Sequence, residues 1–206
     1  MTKEVIPRKT VYRLSLYHRI LQRLAANKVM TVSSSALAKV AGVKPTQLRK
    51  DLAYCGQMGT RGLGYSVPTL VTRLDEALGT SSLQPVAMVG VGDLGSALLK
   101  YQGFAREGFE IVMAFDVDPG SRAAHSGVVR VLPMKSMRGE IERLAVKMAI
   151  LTVPATHAQA VANLLVDAGI QAILNFAPII LQVPEPVVVN NVDLALELEN
   201  LSFFIR

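Results

Sequence analysis

Three glycines in the middle of the sequence have the spacing of a dinucleotide-binding loop. An apolar run at residues 85–89 leads into the pattern G-x-G-x-x-G, and an amphipathic stretch that predicts a helix follows. Such glycines permit a tight turn, and the helix N-terminus binds a pyrophosphate. We therefore expect a nucleotide cradle formed by Gly90, Val91, Gly92, Asp93, Leu94 and Gly95. Leu94, Ala97, Leu98 and Tyr101 are expected on the inward face of the helix.

Asp116 stands where such folds place a ribose-binding carboxylate. It follows a second predicted strand, residues 109–115, and lies 21 residues after Gly95. A carboxylate about 20 residues beyond the loop accepts hydrogen bonds from the adenine-ribose hydroxyls and disfavours a 2′-phosphate. The sequence therefore predicts NAD(H) over NADP(H), while the nearby Arg122 keeps NADP(H) open as an alternative.

The rest of this half alternates apolar runs with helical segments. Strands are predicted at residues 128–132, 146–153, 170–176 and 187–190, and a helix at 154–168. This alternation indicates an α/β fold with a Rossmann-type parallel sheet buried on both faces. Ligands bind at the carboxyl ends of such strands. The expected contacts there are Thr152, Val153 and Pro154 in one loop and Asn175, Phe176 and Ala177 in another.

Charge divides the chain near residues 79–84. Residues 1–80 contain 13 Lys and Arg against 4 Asp and Glu, a net charge of +9, whereas residues 81–206 contain 9 against 12, a net charge of −3. Only the first part has the charge of a polyanion-binding domain. We therefore predict a basic domain at 1–80, a nucleotide-binding domain at 81–190 and a C-terminal segment at 191–206.

The basic domain has the pattern of a winged helix-turn-helix. A 3.6-residue apolar stripe predicts a helix at residues 11–27. Serines at 33–35 can cap a second helix that ends at Gly42, with Leu37 and Val40 inward, and Pro45 suits the start of a third. Glycines at 59, 62 and 64 then permit a tight hairpin with Arg61 near its tip.

The third helix and the hairpin carry side chains that can read DNA. Arg and Gln can bond base edges bidentately, Lys can bind phosphates, and an arginine on a thin hairpin can enter a narrow minor groove. An ordinary solvated helix is the alternative for the same charges. The expected double-stranded DNA contacts are Ser34, Thr46, Gln47, Arg49, Lys50, Arg61 and Tyr65.

The C-terminal segment is too apolar around its circumference for a surface helix. Packing against a second copy of the chain would bury it and would suit a two-fold DNA site, while packing within one chain is the alternative. Its apolar residues are Leu194, Leu196, Leu198, Leu201, Phe203, Phe204 and Ile205.

Composition disfavours several classes of protein. The apolar runs are shorter than the roughly 18 residues of a membrane span, and the basic N-terminus is not followed by a signal-peptide pattern. The single cysteine, Cys55, excludes an internal disulfide and a multi-cysteine metal site. We expect a cytoplasmic protein with no metal site and no membrane partner.

Two other functions use a similar loop. An NAD-dependent oxidoreductase needs a positioned acid or base, but His18, His125 and His157 lie in no recognisable catalytic motif. A module for a CoA-type nucleotide has a related sheet, but the Asp116 carboxylate favours a free ribose diol. We therefore expect no enzymatic activity.

Four segments together resemble the Rex family of bacterial redox-sensing transcriptional repressors, across nearly the whole chain. They are QLRKDL at 47–52 running to GLGY at 62–65, residues 89–98, FDVDP at 115–119 and LNFAP at 174–178. The resemblance implies a homodimer with a domain-swapped C-terminal helix. It also implies that NADH binds between the Rossmann domains and releases palindromic operator DNA, while NAD+ competes weakly and favours the DNA-bound form.

The same resemblance implies a switch. Tyr101 would lie beside the nicotinamide, and Asp193, on the swapped segment, would pair with Arg19 in one state and with the tyrosine hydroxyl in the other. The chain departs from the family at Leu194, where an aromatic residue is frequent, and at Cys55, where Phe is frequent. Cys55 is expected to be a small buried hydrophobe, with a direct thiol sensor as the alternative.

Overall fold

The computed structural model describes residues 6–56, 59–60, 63–120 and 129–205. The chain divides into two units, Met1–Ser82 and Leu83–Arg206. In the described ranges no helix is long and apolar enough to cross a membrane. The same residues hold no group of three or more His, Cys, Asp or Glu side chains that could bind a metal ion.

The first unit is a helical domain with a small antiparallel sheet. Its strands lie in the order β1–β3–β2, so β2 and β3 form a hairpin and β1 pairs with the other side of β3. This winged helix-turn-helix architecture confirms the predicted fold. The elements are α1 (Arg8–Ala26), β1 (Thr31–Val32), α2 (Ser34–Val40), α3 (Pro45–Ala53), β2 (Gly59–Thr60), β3 (Gly64–Ser66) and α4 (Val67–Leu78).

Local sequence explains where these helices begin and end. The Ser33 hydroxyl accepts a hydrogen bond from the Ala36 N–H and caps α2, and Pro45 occupies the first turn of α3. Gly79 ends α4 in the left-handed conformation, at φ +74°. Between α2, which ends at Val40, and Pro45, the short turn contains Gly42 in the left-handed conformation, at φ +68°.

The core of the first unit draws on all four helices. The prediction that Val40 faces inward is wrong: it is 69% exposed, because α2 has only seven residues and buries Leu37 and Ala38 instead. The buried members are Leu14, Tyr17, Leu21, Leu37, Ala38, Leu48, Leu52, Tyr65, Val67, Leu70 and Leu74.

The second unit is built on a six-stranded sheet in which all neighbouring strands are parallel. The order β6–β5–β4–β7–β8–β9 is the 3-2-1-4-5-6 order of a Rossmann domain. Its strands are β4 (Gln84–Val89), β5 (Phe109–Asp116), β6 (Val131–Pro133), β7 (Met148–Leu151), β8 (Ala172–Asn175) and β9 (Val188–Asn191). Its helices are α5 (Asp93–Leu99), α6 (Gly103–Arg106), α7 (Met137–Arg143), α8 (Ala155–Asp167) and α9 (Leu194–Ser202), with short 3₁₀ helices at Met134–Ser136 and Phe203–Ile205.

The central strand buries side chains on both faces of the sheet. Ala87 and Val89 of β4 belong to the hydrophobic cluster on one face, and Val86 and Met88 belong to the cluster on the other. The strand order reverses between β5 and β7, on either side of β4. The carboxyl ends of these three strands therefore border the crevice where such folds bind ligands.

The helix after the glycine loop is oriented differently from the sequence prediction. Gly95 and Leu99 are the buried residues of α5. Leu94 is 41% exposed and Tyr101 59% exposed, and Ala97 is exposed as well. The inward face predicted for these three residues is therefore wrong, because α5 packs through Gly95 and Leu99 instead.

The C-terminal helix exposes an apolar surface. All seven apolar residues named above for this segment are more than half exposed, from 52% at Leu196 to 85% at Ile205. Phe203 and Phe204 contact each other, with ring centroids 5.3 Å apart. So large an apolar surface is not typical of a helix that remains exposed to solvent.

Candidate functional site

The glycine loop joins β4 to α5 where the strand order reverses. Gly90 has a left-handed φ of +93°, and a Cβ there would lie 2.8 Å from the Thr152 carbonyl oxygen. A Cβ at Gly95 would clash with the Gly90 carbonyl oxygen, whereas one at Gly92 would meet nothing within 4 Å. Glycine is thus required for the turn and for close packing of α5, and the space beside Gly92 is open to a ligand.

Hydrogen bonds from Thr152 link the loop after β7 to the glycine loop. Its hydroxyl donates a hydrogen bond to the Gly90 carbonyl oxygen at 2.6 Å, and its N–H donates to the Val89 carbonyl oxygen at 2.9 Å. The next residue, Val153, is half-buried, and Pro154 after it is exposed. This loop therefore supports the cradle from the neighbouring strand.

Asp116 ends β5 beside the cradle. Its Oδ2 accepts a hydrogen bond from the Val91 N–H at 2.6 Å, and its Oδ1 accepts one from the Asp118 N–H at 2.9 Å. The residue is half-buried, so the carboxylate is fixed in place while lone pairs remain for ribose hydroxyls. A negative charge here disfavours a phosphorylated ribose.

The amide of Asn175 is bound by protein groups, and a contact between this residue and the cofactor stays a prediction. The residue is fully buried, and Nδ2 lies within 3.0 Å of the carbonyl oxygens of Ala177 and Ile179 and of Asn191 Oδ1. Its Oδ1 accepts from the Ala177 N–H at 2.9 Å. Because these contacts occupy the amide, Asn175 holds the loop after β8, in which Phe176 is half-buried.

Three residues were expected to form a switch. The exposed ring of Tyr101 packs edge-on against Phe104, with centroids 5.2 Å apart. Asp193 is half-buried, and its Oδ1 accepts hydrogen bonds from two backbone N–H groups in the first turn of α9, at 3.0 and 3.1 Å. Arg19 is exposed on α1 of the first unit. The pairing of Asp193 with either partner stays a prediction.

The outer surface of α3 is polar and basic. Thr46, Arg49 and Lys50 are exposed, whereas Leu48 is buried in the core. The Arg49 guanidinium donates to the hydroxyl of the half-buried Ser34 at 3.2 Å, which links the start of α2 to α3. With the half-buried Gln47, five of the predicted DNA contacts therefore lie on these two adjacent helices.

The hairpin stands beside this surface, but one of its predicted contacts is buried. Tyr65 is 8% exposed, and its ring packs on Gly59, where a Cβ would lie 2.9 Å from the ring. Burial raises the pKa of the Tyr65 hydroxyl, and the charge of Arg49 partly opposes that rise. Tyr65 therefore supports the hairpin from inside and is not an exposed DNA contact. Arg61, predicted at the tip, lies outside the described residues.

A buried carboxylate that the sequence analysis missed joins α1 to α3. Asp51 is 1% exposed and accepts hydrogen bonds from Arg13 Nε and Nη2, both at 2.7 Å, from the Tyr17 hydroxyl at 2.8 Å and from Gln47 Nε2 at 2.9 Å. Burial opposes its charge, but the hydrogen bonds outweigh burial and hold the pKa of Asp51 below its ordinary value. The available signal was an acidic residue three positions after Leu48, on the apolar face of α3.

The two units define the class of protein: a winged helix-turn-helix domain in one chain with a Rossmann-type dinucleotide-binding domain. A family model described as "Putative DNA-binding protein N-terminus" matches residues 5–53, and one described as a CoA binding domain matches residues 81–179. Each unit is thus matched by a known domain family.

Full-length relatives are more specific. The redox-sensing transcriptional repressor Rex of Desulforamulus reducens is 44% identical over 198 residues, 96% of this chain and 94% of that protein. Its counterpart in Syntrophobacter fumaroxidans is 45% identical over 201 residues, 96% of this chain and 95% of that protein. The chain belongs to the Rex family of redox-sensing transcriptional repressors, and the oxidoreductase alternative is set aside.

Solved structures agree with this membership. RSP, a Rex-family repressor, is 34% identical with a TM-score of 0.87, covering 98% of this chain and 94% of its own. RSP in complex with NAD+ and operator DNA gives a TM-score of 0.90 at 35% identity, covering 98% of this chain and 93% of its own.

Proposed function

We propose that this chain binds a palindromic operator as a homodimer and leaves it when NADH binds to the Rossmann domains. The observation that carries the proposal is a basic α3 surface in the same chain as a glycine cradle with an adjacent ribose carboxylate. RSP has been solved with NADH and, separately, with NAD+ and operator DNA, which supports both ligands. A repressor of this kind acts in the cytoplasm, where operator and NADH meet.

In the proposed nucleotide site, the backbone of the glycine loop binds the pyrophosphate and Asp116 binds the adenine ribose. Asp116→Ala should weaken NADH binding about tenfold or more, because it removes hydrogen bonds to a charged group. The ratio of NADH affinity to NADPH affinity should also fall. The measurement is NADH fluorescence on titration, with CoA as a competitor. Asp118→Ala is the matched control, since among the described residues that carboxylate accepts a hydrogen bond from the Gly120 N–H, at 3.2 Å, and not from the glycine loop. Equal NADH affinity in wild type and Asp116→Ala would remove Asp116 from the site.

In the proposed DNA complex, Lys50 binds a phosphate through the exposed face of α3. Lys50→Ala should weaken binding across DNA sequences and reduce the slope of log affinity against log salt by about 1. Lys135→Ala, an exposed lysine of the second unit, is the control. An unchanged salt slope in Lys50→Ala would exclude Lys50 from the interface.

The apolar surface of α9 supports the proposed dimer. A second copy would cover it, and a two-fold dimer matches a palindromic operator. Leu198→Lys, at a residue that is 69% exposed, should shift the protein to monomers in light scattering after gel filtration. Met30→Lys, at 64% exposure in the first unit, should not. Dimers that persist in Leu198→Lys would contradict the role of α9.

In the proposed switch, Asp193 exchanges between Arg19 and Tyr101 as the cofactor changes. Each ligand then biases a two-state element, as coupling between two sites requires. Arg19→Ala should retain NADH binding but lose NADH-dependent release of DNA, whereas Arg23→Ala, one turn further along α1, should retain both. Normal release by Arg19→Ala would exclude the exchange.

A further inference from the structure

The Asp51 cluster, defined as Arg13, Tyr17, Gln47 and Asp51, has one member on the surface that faces DNA in the proposed function. Gln47 is half-buried on α3, between the exposed Thr46 and the buried Leu48. Its Nε2 donates to Asp51 Oδ1 at 2.9 Å. The cluster therefore connects a candidate base-reading side chain to a buried anion.

Asp51 cannot rotate away from Gln47. Its Oδ2 accepts from Arg13 Nε at 2.7 Å and from the Tyr17 hydroxyl at 2.8 Å, and its Oδ1 accepts from Arg13 Nη2 at 2.7 Å. Two parallel hydrogen bonds from one guanidinium fix the plane of a carboxylate. Arg13 is itself held, since Nη2 also donates to the Thr10 hydroxyl at 3.1 Å. The anion is thus locked against α1.

A locked carboxylate determines which end of the Gln47 amide faces it. A carboxylate only accepts hydrogen bonds, so it attracts the amide nitrogen and repels the amide oxygen. The oxygen and the second N–H of Gln47 are then left for another partner. Within the described ranges this amide makes no other hydrogen bond.

This orientation matches one base. Adenine offers an acceptor, N7, beside a donor, the N6 amino group, and glutamine binds that pair bidentately. Guanine offers two acceptors, one of which would face the amide oxygen. We propose that Asp51 is a positioning residue that fixes the Gln47 amide to read adenine over guanine in the operator half-site. This inference rests on the proposed operator binding and goes beyond it by naming a base and the group that selects it.

The test is enrichment of a randomised DNA duplex pool on the full chain at fixed salt, followed by sequencing of the bound DNA. Wild type should enrich one half-site position for adenine. Gln47→Ala and Asp51→Asn should both lose adenine-over-guanine preference there, by about fivefold or more, because a bidentate base contact is the source of the discrimination. An asparagine at position 51 can donate as well as accept, so it no longer excludes the amide oxygen.

Asp75→Asn is the matched control, because Asp75 lies 2.8 Å from His18 Nε2, links α4 to α1 and is not a member of the Asp51 cluster. It should retain every base preference, even if stability falls. Arg13→Lys is the second variant, used if Asp51→Asn does not fold by circular dichroism. It keeps the charge but loses the two-bond fork, and it should relax the same position.

The results separate this inference from the proposed function. Gln47→Ala identifies the half-site position at which the adenine preference is lost. If Asp51→Asn, or Arg13→Lys in its place, keeps the wild-type preference at that position, the proposed role of Asp51 is overturned. Relaxation spread evenly over the half-site also overturns it, because that is the result of a merely weakened fold. A wild type that enriches no motif overturns the proposed operator binding as well.

Discussion

A buried polar side chain lies beside the proposed ligand surface of each unit, Asp51 in the first and Asn175 in the second, and the two differ in charge and in partners. Asp51 is bound by side chains that include two from α1, 34 and 38 residues away in sequence. Asn175 is bound mainly by the backbone of the loop that follows it. The proposed DNA surface is thus fixed by side-chain electrostatics, and the proposed nucleotide edge by backbone geometry. Single charges and pH should therefore affect the first unit more than the second.

The largest effect should come from Asp51→Ala. Removing one partner of a buried ion pair costs about 3–5 kcal/mol of unfolding free energy, because the guanidinium is left without its counter-ion. Urea unfolding followed by circular dichroism measures the loss. Glu76→Ala, which removes an ion pair with Arg73 between two exposed side chains, should cost about 1 kcal/mol or less. Equal losses of unfolding free energy in the two variants would show that burial of the Asp51 ion pair adds nothing to stability.

Asn175→Ala should have the next largest effect, about 2–3 kcal/mol, because it leaves the Ala177 N–H and nearby buried acceptors without partners. NADH affinity should fall as well, since the loop after β8 loses its shape. Gln159→Ala is the matched control: this half-buried residue contacts Asn163 and the Gln182 backbone through its amide. A control that destabilises as much as Asn175→Ala would contradict the importance of burial.

A smaller effect should appear with pH. Because the pKa of Asp51 in the folded chain lies below its ordinary value, the cluster contributes full stability above the ordinary Asp pKa of about 3.9 and loses it as pH falls through the depressed pKa. Unfolding free energies of wild type and Asp51→Asn should therefore differ by a constant amount down to about pH 4, and should converge as pH falls from there through the depressed pKa. A difference that stays constant below about pH 4 as well would show that the carboxylate charge is not what stabilises the cluster.

The smallest effect should come from Cys55. Burial raises the pKa of its thiol, so the reactive thiolate is scarce at neutral pH. Cys55→Ala should leave NADH-dependent DNA release unchanged, and brief peroxide treatment of wild type should do the same. Release that responds to peroxide in wild type but not in Cys55→Ala would restore the direct thiol sensor.

Sequence predicts best what short-range pattern determines. The glycine spacing, Asp116 and the apolar runs predict the Rossmann sheet, and the serine cap with Pro45 predicts the helix-turn-helix. These features depend on neighbours a few residues apart, so local propensity and periodicity are sufficient.

Contacts distant in sequence explain what was missed. The exposure of Leu94 follows from the close approach of Gly95 to Gly90, and the burial of Tyr65 follows from its packing on Gly59. The Asp51 cluster depends on how α1 crosses α3, which no spacing within either helix encodes. An acidic residue on an apolar helix face was the one available indication that a buried partner must exist.

The most direct test of the central claim is fluorescence anisotropy of the wild-type chain on an inverted-repeat duplex taken from its own enriched pool, at fixed salt. NADH and NAD+ are titrated separately into the preformed complex. Our account predicts that NADH releases the DNA at concentrations where NAD+ leaves it bound. DNA binding that is indifferent to both nucleotides would contradict the redox switch and leave the Rossmann domain without its proposed role.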